Sequence, residues 1–268
     1  MTLEQLVDFI KSQKSMLCVG LDPDPGKMPE GLNPQQLYTF LSQIVEATAP
    51  YCVAFKPNLA FFESMGPDGM LQFEQLVHHI AIHHPRHLII ADAKRGDIGN
   101  TSAHYAQTFF QTYPCHAITV APYMGHDSIQ PFLEFKNHWT ILLALTSNAG
   151  SADFQRIADQ NGIPFYLRVM NQATEWASPE QLMFVVGATH PQELAELRRL
   201  FPQYFFLVPG VGAQGGTVQS VCKAGMNANG GLLINASRSI LYASSKSDFA
   251  MAAAKVAHQM QQEMSQFL

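Results

Sequence analysis

Five charged side chains fall in three short segments of the 268-residue sequence. Asp22 ends the segment VGLD, Lys56 lies in FKPN, and Asp92, Lys94 and Asp97 share the segment DAKRGD. Only 14 % of the residues are charged, and buried charge is a poor way to stabilise a fold. We therefore interpret the set as functional, with a structural ion-pair network as the alternative for any single pair. An ammonium group held between carboxylates stays protonated, so it can supply both a positive field and a proton.

A glycine-rich segment, VPGVGAQGG at 208–216, holds a second candidate site. Gly210, Gly212 and Gly215 match the dinucleotide pattern G-x-G-x-x-G, which is a weak signal by itself. A dinucleotide site also needs an acidic side chain about 20 residues later to hold a ribose. No Asp or Glu occurs between 197 and 247, so the dinucleotide interpretation is disfavoured.

The same stretch carries only basic charges, on Arg198, Arg199, Lys223, Arg238 and Lys246. Backbone amides exposed by glycines, a helix that begins near Gly216, and the guanidinium of Arg238 suit a phosphate monoester. We predict a phosphate site here. A tight turn without a ligand is the alternative.

The elements that position these residues follow from apolar periodicity. Eight short apolar runs are hydrophobic on both faces, as is typical of parallel strands buried between two layers; they are 16–22, 52–58, 87–94, 117–122, 139–147, 181–189, 204–210 and 231–238. Most segments between them have helical spacing: 34–49, 68–84, 99–112, 151–161, 191–201, 216–225 and a final 248–267. The alternation predicts an α/β protein with a single (β/α)₈ TIM barrel over residues 1–268, an open doubly wound sheet being the alternative.

In such a barrel the chemistry lies at the carboxyl ends of the strands. Asp22, Lys56 and the segment that begins at Asp92 follow the first three strands, and Arg238 ends the eighth. Asp92 and Lys94 are two residues apart in a strand and should therefore point to the same side. We expect all these groups at one mouth of the barrel.

Composition excludes several classes of protein. Lysine and arginine number 16 against 21 acidic residues, a net charge of −5, so bulk electrostatics predict no nucleic-acid partner. The segment 1–15 has amphipathic helical spacing, unlike a signal peptide, and is predicted to cap the barrel. No apolar run approaches the ~20 residues of a membrane span. Four scattered cysteines without a Cys-x-x-Cys pair indicate a reducing, cytoplasmic location.

A histidine cluster precedes the third strand, at His78, His79, His83, His84 and His87. His79 and His83 have the i, i+4 spacing of helical metal ligands, but no carboxylate of the H-E-x-x-H kind accompanies them. The cluster should also lie at the barrel end away from the mouth. We interpret it as a solvated helix surface and predict no metal site.

Taken together, several segments resemble the orotidine 5′-phosphate decarboxylase family, in particular its longer bacterial branch. They occur in order along the whole chain: GLDPDP (20–25), FKPN (55–58), DAKRGDIGNTS (92–102), VPGVGAQGG (208–216) and NASRSILYAS (235–244). The resemblance implies a lyase of pyrimidine biosynthesis that converts orotidine 5′-monophosphate to UMP and CO₂ without a metal or cofactor.

The resemblance also implies a role for each charged residue. Lys94 would protonate C6 of the pyrimidine, Asp92 would lie beside the substrate carboxylate, and Lys56 and Asp97 would complete an alternating charged array. Asp22 and Lys56 would bind ribose hydroxyls.

The remaining implied contacts lie further along the chain. Ser147 would bind the pyrimidine edge, Pro209 would lie beside the ring, and Gln214 and Arg238 would bind the phosphate. Many family members have glycine directly before this arginine, where this chain has Ser237.

In the family, the second aspartate of D-x-K-x-x-D and a nearby threonine reach the partner subunit's site. The corresponding residues here are Asp97 and Thr101, which implies a homodimer.

Decarboxylation at this carbon leaves a carbanion with no adjacent electron sink. Fixed charges in a dry cavity are the remaining means of stabilisation. Three alternatives stay open: a magnesium-dependent sugar-phosphate decarboxylase or aldolase of the same superfamily, a Schiff-base aldolase that uses Lys56 or Lys94, and a non-catalytic barrel that binds a nucleotide phosphate.

Overall fold

The computed structural model describes residues 1–187, 191–211 and 216–268. Within these ranges, eight strands pair in chain order and close into a barrel. They are β1 (Leu17–Leu21), β2 (Ala54–Pro57), β3 (Leu88–Arg95), β4 (Ala117–Val120), β5 (Trp139–Leu145), β6 (Leu182–Val186), β7 (Phe205–Pro209) and β8 (Leu232–Ala236).

Helices connect the strands and form the outer layer. They are α1 (Leu3–Gln13), α2 (Leu37–Thr48), α3 (Leu59–Glu63), α4 (Gly66–His83), α5 (Gly99–Gln107), α6 (His126–Leu133), α7 (Phe165–Thr174), α8 (Pro191–Leu200), α9 (Val218–Gly225), α10 (Arg238–Leu241) and α11 (Phe249–Ser265). Among the described residues, no helix combines the length and hydrophobicity needed to cross a bilayer.

Closure of the sheet decides between the two predicted architectures. β8 pairs in parallel with β1, where Leu17 lies opposite Ile234 and Cys18 opposite Asn235. An open doubly wound sheet would instead end in two edge strands, each with a neighbour on one side only. The (β/α)₈ prediction is confirmed. Each of the eight predicted runs corresponds to one strand, although β3 extends one residue beyond its run, to Arg95.

The core fills the barrel and the layer between strands and helices. Every residue of β1, β6 and β8 is buried, because parallel strands are covered on one face by helices and on the other by the barrel interior. Trp139, Phe184 and Phe205 are among the largest fully buried side chains. Full burial of one such side chain stabilises the fold by about 1.5–3 kcal/mol.

α1 covers the amino-terminal end of the barrel, as predicted. Thr2 and Gln5 form a capping box that starts the helix, and Leu6 and Ile10 bury its apolar face. The Trp139 indole N–H donates to the backbone oxygen of Met1 at 3.2 Å, which fixes the start of α1 against β5.

The helix predicted at 151–161 is wrong. A 3₁₀ turn covers Ala149–Asp153, and the helix of this connection is α7, which begins at Phe165. The Asp159 carboxylate accepts hydrogen bonds from the backbone N–H groups of Asn161 and Ile163. An aspartate that satisfies local amides in this way favours a turn over a helix.

The histidine cluster is only partly a solvated surface. His78 and His83 are exposed on α4, in line with the prediction. His87 is buried and bonds through Nε2 to the backbone oxygen of Ala49 at 3.0 Å. Burial lowers the pKa of His87 to about 4, so its ring is neutral near neutral pH.

Candidate active site

A chain of three charged side chains lies at the carboxyl ends of β2 and β3. Asp92 accepts a hydrogen bond from Lys56 Nζ on Oδ2 and one from Lys94 Nζ on Oδ1, both at 2.6 Å. Lys56 is 4 % exposed and Asp92 is 8 % exposed, whereas half of the Lys94 side chain (51 %) is exposed. The cluster therefore has one buried cation and one cation that faces the mouth of the barrel.

The Lys94 backbone departs from a regular strand. Its φ is 47°, in the left-handed region, and the pairing of β3 with β4 shifts register between Ala91 and Arg95. A non-glycine residue in this conformation costs about 1–3 kcal/mol, and such strain concentrates at functional sites. Asp92 and Lys94 do meet, as expected, but through this local distortion rather than through simple strand alternation.

Thr119 on β4 supports the distorted segment. Its hydroxyl donates to Asp92 Oδ1 and accepts the Lys94 backbone N–H, both at 2.9 Å. Sequence reasoning missed this residue. The available signal was weak: Thr119 is the only polar residue in the apolar run AITVAP.

The two buried charges of the cluster, on Lys56 and Asp92, favour each other's ionised form. Burial favours the neutral form of Asp92, but the ammonium groups of Lys56 and Lys94 outweigh burial and hold its pKa well below the usual range. Burial likewise favours neutral Lys56, yet the carboxylates of Asp92 and Asp22 raise its pKa. At neutral pH the site therefore contains fixed ions of both signs.

Polar atoms without partners lie between β1 and β8. Asp22 Oδ1, Asn235 Oδ1 and Ser237 Oγ are buried and have no hydrogen-bond partner among the described residues. A Cβ on Gly20 would lie 2.7 Å from the Cβ of Ser237 and 3.1 Å from Asn235 Oδ1, so glycine keeps this space open. Buried polar atoms are rarely left unpaired, and three of them at a strand-end mouth mark a surface suited to a polar ligand. Sequence reasoning missed Asn235, the one polar residue within the run GLLINA.

Other predicted residues lie at the same mouth. Ser147 follows β5 and packs against Gly187, where an added Cβ would lie 3.1 Å from the Ser147 Cβ. Pro209 is the last residue of β7. Arg238 is exposed at the start of α10, two residues after β8.

Asp97 and Thr101 are not part of the Asp92 cluster. Asp97 Oδ1 accepts the neighbouring Ile98 N–H at 2.8 Å, and among the described residues it forms no ion pair. Thr101 is exposed on α5. Of the four residues predicted to form the charged array, Lys56 and Lys94 contact Asp92 within one chain. Asp97 does not join them.

The predicted phosphate segment is described only in part. Gln214, with Gly212 and Gly215, lies outside the described residues. The following helix, α9, begins at Val218 with Thr217 as its N-cap, slightly later than expected.

Arg198 does not belong to the predicted basic region. Its guanidinium is buried where α8 ends and β7 and β8 begin, at the opposite end of the barrel, and it donates to backbone oxygens that include Gly225 and Gly231. Lys223 is in the last turn of α9. Helices of a (β/α)₈ barrel run back toward the amino-terminal end, so basic residues late in α8 and α9 are directed away from the mouth.

Comparison with known proteins agrees with this architecture. The sequence model of the "Orotidine 5′-phosphate decarboxylase / HUMPS family" matches residues 15–253. The orotidine 5′-phosphate decarboxylase of Bacteroides fragilis is 50 % identical over 100 % of this chain and 98 % of its own. That of Porphyromonas gingivalis is 51 % identical over 98 % of this chain and 96 % of its own. The structure of Leishmania donovani OMP decarboxylase superposes with a TM-score of 0.83 at 33 % identity and covers 98 % of this chain and 99 % of that one. The chain belongs to the orotidine 5′-phosphate decarboxylase family.

Proposed function

We propose that this protein decarboxylates orotidine 5′-monophosphate to UMP and CO₂. The observation that carries the proposal is the contact of Asp92 with two ammonium groups, one buried on Lys56 and one facing the mouth on Lys94. Relatives with about half of their residues identical over nearly their full length are named for this reaction.

In the proposed reaction the bond between C6 and the carboxylate carbon breaks, and CO₂ leaves. Its electron pair stays on C6 as a carbanion. The Lys94 ammonium lies beside this charge and donates one proton to C6, which gives UMP. Preorganised charges act strongly in a site that excludes water, and the contact with Asp92 keeps the ammonium in place before the reaction.

Asp92 has two roles in this proposal. It holds Lys56 and Lys94 on its two carboxylate oxygens, and it lies next to the substrate carboxylate. Asp22 and Lys56 bind ribose hydroxyls. The unpaired oxygen of Asp22 and the Coulombic influence of Asp22 on Lys56 support a shared polar ligand for these two groups.

The other proposed contacts surround the base and the phosphate. Ser147 binds the pyrimidine edge, Pro209 packs beside the ring, and Arg238 and Gln214 bind the phosphate. The exposed guanidinium of Arg238 after β8 supports the phosphate assignment, because this is a common phosphate position in (β/α)₈ barrels.

The proposed enzyme is a cytoplasmic homodimer in which the whole chain forms one functional unit. Asp97 and Thr101 reach the partner's site. The lack of an ion pair to Asp97 within the described chain supports this arrangement, as do the exposed apolar side chains of Ile98, Tyr123 and Met124 in the loops after β3 and β4. The four cysteines are free and buried, in keeping with a reducing compartment.

The catalytic proposal is tested with Lys94→Ala, assayed by the ultraviolet change on consumption of orotidine 5′-monophosphate. We expect turnover to fall at least ~10³-fold, because the variant loses both the proton donor and the cation. The thermal unfolding midpoint should stay close to that of the wild type, since the Lys94 side chain is half-exposed. A normal rate in the variant would refute the proposal.

The open alternatives are separated by three further measurements. Wild-type activity in excess EDTA should be unchanged, whereas a magnesium-dependent relative would lose it. Borohydride should trap no adduct, whereas a Schiff-base aldolase would be labelled on Lys56 or Lys94. Binding of UMP without turnover would indicate a non-catalytic barrel.

The dimer is tested by mixing two inactive variants, Lys94→Ala and Asp97→Asn, under conditions that exchange subunits. If Asp97 acts in the partner's site, each mixed dimer regains one intact site, and activity should return to about a quarter of the wild-type value. Mixtures that stay inactive would show that Asp97 acts within its own subunit or not at all.

A further inference from the structure

Three side chains from separate positions converge at the amino-terminal end of the barrel. Glu46 Oε1 lies 2.8 Å from His79 Nε2 and 3.0 Å from His84 Nε2. The three ligand-type atoms all lie within 4.8 Å of one another. Glu46 is near the end of α2, His79 is in the last turns of α4, and His84 directly follows α4.

The donor set and its spacing fit a small transition-metal ion. Zn²⁺ binds imidazole nitrogen and carboxylate oxygen at about 2.0–2.2 Å, in tetrahedral geometry. Neighbouring ligand atoms in such a site are therefore roughly 3.3 Å apart. The Glu46 oxygen is a few tenths of an ångström closer than that to each histidine nitrogen, and all three atoms lie within 4.8 Å of one another. Small movements of these side chains would bring all three atoms to bonding distance from one ion.

A neighbouring tyrosine contacts one of these three side chains. The Tyr38 hydroxyl lies 3.4 Å from His79 Nδ1, and a proton held on Nδ1 by this oxygen leaves Nε2 free to bind metal. Tyr38 is itself held to α4, because its backbone N–H donates to Gln72 Oε1 at 3.0 Å.

The site is also open on one side. The side chains of His79 and His84 are 16 % exposed, whereas that of Glu46 is 54 % exposed. An ion can enter past Glu46, and water can fill a fourth position.

We propose that Glu46, His79 and His84 form a binding site for a divalent first-row transition metal, Zn²⁺ in particular. Two imidazoles and one carboxylate suit such ions better than Mg²⁺ or Ca²⁺, which prefer oxygen ligands only. The bound ion links α2 to the end of α4. It lies at the end of the barrel opposite Asp92, so it stabilises the fold and takes no part in the reaction.

The proposal revises the interpretation of the histidine cluster. No carboxylate of the H-E-x-x-H kind accompanies the histidines in the sequence, and the fold supplies one from α2, 33 residues before His79. Of the five histidines in the cluster, His79 and His84 contact Glu46, whereas the exposed His78 bonds through Nδ1 to the backbone oxygen of Glu74.

The test uses the untagged full chain after treatment with a chelator. Titration with ZnCl₂ in a calorimeter should give one site per chain, and saturating zinc should raise the thermal unfolding midpoint, because a ligand that binds only the folded state stabilises it. Co²⁺ should give visible d–d absorption typical of a low-coordinate site. His84→Ala and Glu46→Gln should each weaken zinc binding at least ~10-fold and remove both the thermal shift and the absorption.

His78→Gln is the matched control, since it removes an exposed histidine from the same helix and leaves Glu46, His79 and His84 unchanged. It should bind zinc as the wild type does. The zinc-free unfolding midpoints and decarboxylase rates of all three variants show that each has folded. The proposal is overturned if the wild type binds no zinc, if His84→Ala and Glu46→Gln bind it as tightly as the wild type, or if His78→Gln abolishes binding.

Discussion

Two buried cations at opposite ends of the barrel have different kinds of hydrogen-bond partner. Arg198, 8 % exposed at the amino-terminal end, donates five hydrogen bonds, all to backbone oxygens, those of Phe201, Pro202, Tyr204, Gly225 and Gly231. Its guanidinium also lies 4.1 Å from the ring centroid of Phe206. Among the described residues, Lys56, at the mouth, donates only to the Asp92 carboxylate.

The difference separates a structural cation from a functional one. Arg198 donates to carbonyl oxygens at the ends of strands and helices, and burial lowers its pKa to about 10. The pKa of Lys56 is raised instead, by Asp92 and Asp22. At the mouth, the side-chain oxygens of Asp22, Asn235 and Ser237 are buried without a hydrogen-bond partner among the described residues. The Arg198 guanidinium thus has its hydrogen-bond partners within the fold, whereas the three oxygens at the mouth stay available to a ligand.

The largest effect is expected when the shared carboxylate at the mouth is removed. Asp92→Asn leaves both ammonium groups without their anion, and kcat/KM for orotidine 5′-monophosphate should fall at least ~10³-fold. The ultraviolet assay measures the loss, and circular dichroism checks the fold. Activity within tenfold of the wild type would mean that Asp92 only positions Lys56.

Removal of the structural cation should affect stability and spare the chemistry. Arg198→Met leaves five backbone oxygens without their donor, and the free energy of unfolding in urea should fall by about 3 kcal/mol. The kcat of the folded variant should stay within about threefold of the wild type. Arg199→Met, at the exposed neighbouring position, is the control and should change stability by less than ~0.5 kcal/mol. A large loss of kcat in Arg198→Met would contradict the division between the two ends.

The amino-terminal end should also respond to acid through His87. Its pKa is about 4 in the folded protein and about 6.5 in an unfolded chain. The stability that it contributes is therefore complete above pH ~6.5 and is lost as the pH falls toward 4. Between pH 7 and pH 5 the loss should be about 2 kcal/mol.

Urea unfolding of the wild type and His87→Gln at both pH values measures this contribution. The variant should lose about 2 kcal/mol less than the wild type over the same interval. The part that remains in the variant includes His116, whose pKa burial also lowers to about 4. Equal pH dependence in both proteins would show that His87 is not held neutral.

The smallest effect is expected at an unpaired group of the mouth. Asn235→Ala removes a buried amide whose oxygen has no partner among the described residues, so the free energy of unfolding should change by less than ~1 kcal/mol. If that oxygen serves the ligand, KM should rise about tenfold with kcat little changed. A stability loss above ~2 kcal/mol with an unchanged KM would assign Asn235 to the fold instead.

Sequence periodicity predicted the strands well and one connection badly. The strands are continuous apolar runs, so their burial could be predicted from the residue types in each run. Segment 151–161 also has apolar residues at helical spacing, but the Asp159 side chain satisfies local amides and directs the chain into a turn. Residue types likewise identified Lys56, Asp92 and Lys94, because charge is rare at strand ends of this chain. They could not identify Thr119 or Asn235, whose importance depends on what lies next to them.

Hydrophobic pattern and residue order were enough to predict the eight strands and to place a charged segment at the end of β3. The pairing of β8 with β1 in the structure then decided for the closed barrel over an open sheet. The tertiary structure alone decided which charges touch: that Asp92 lies between two lysines, that Arg198 belongs to the opposite end, and that Glu46 joins His79 and His84. The contacts of Asp92 with Lys56, of Arg198 with Gly231 and of Glu46 with its two histidines join residues 33 to 38 positions apart. Their formation depends on packing and register, which no local pattern in a sequence encodes.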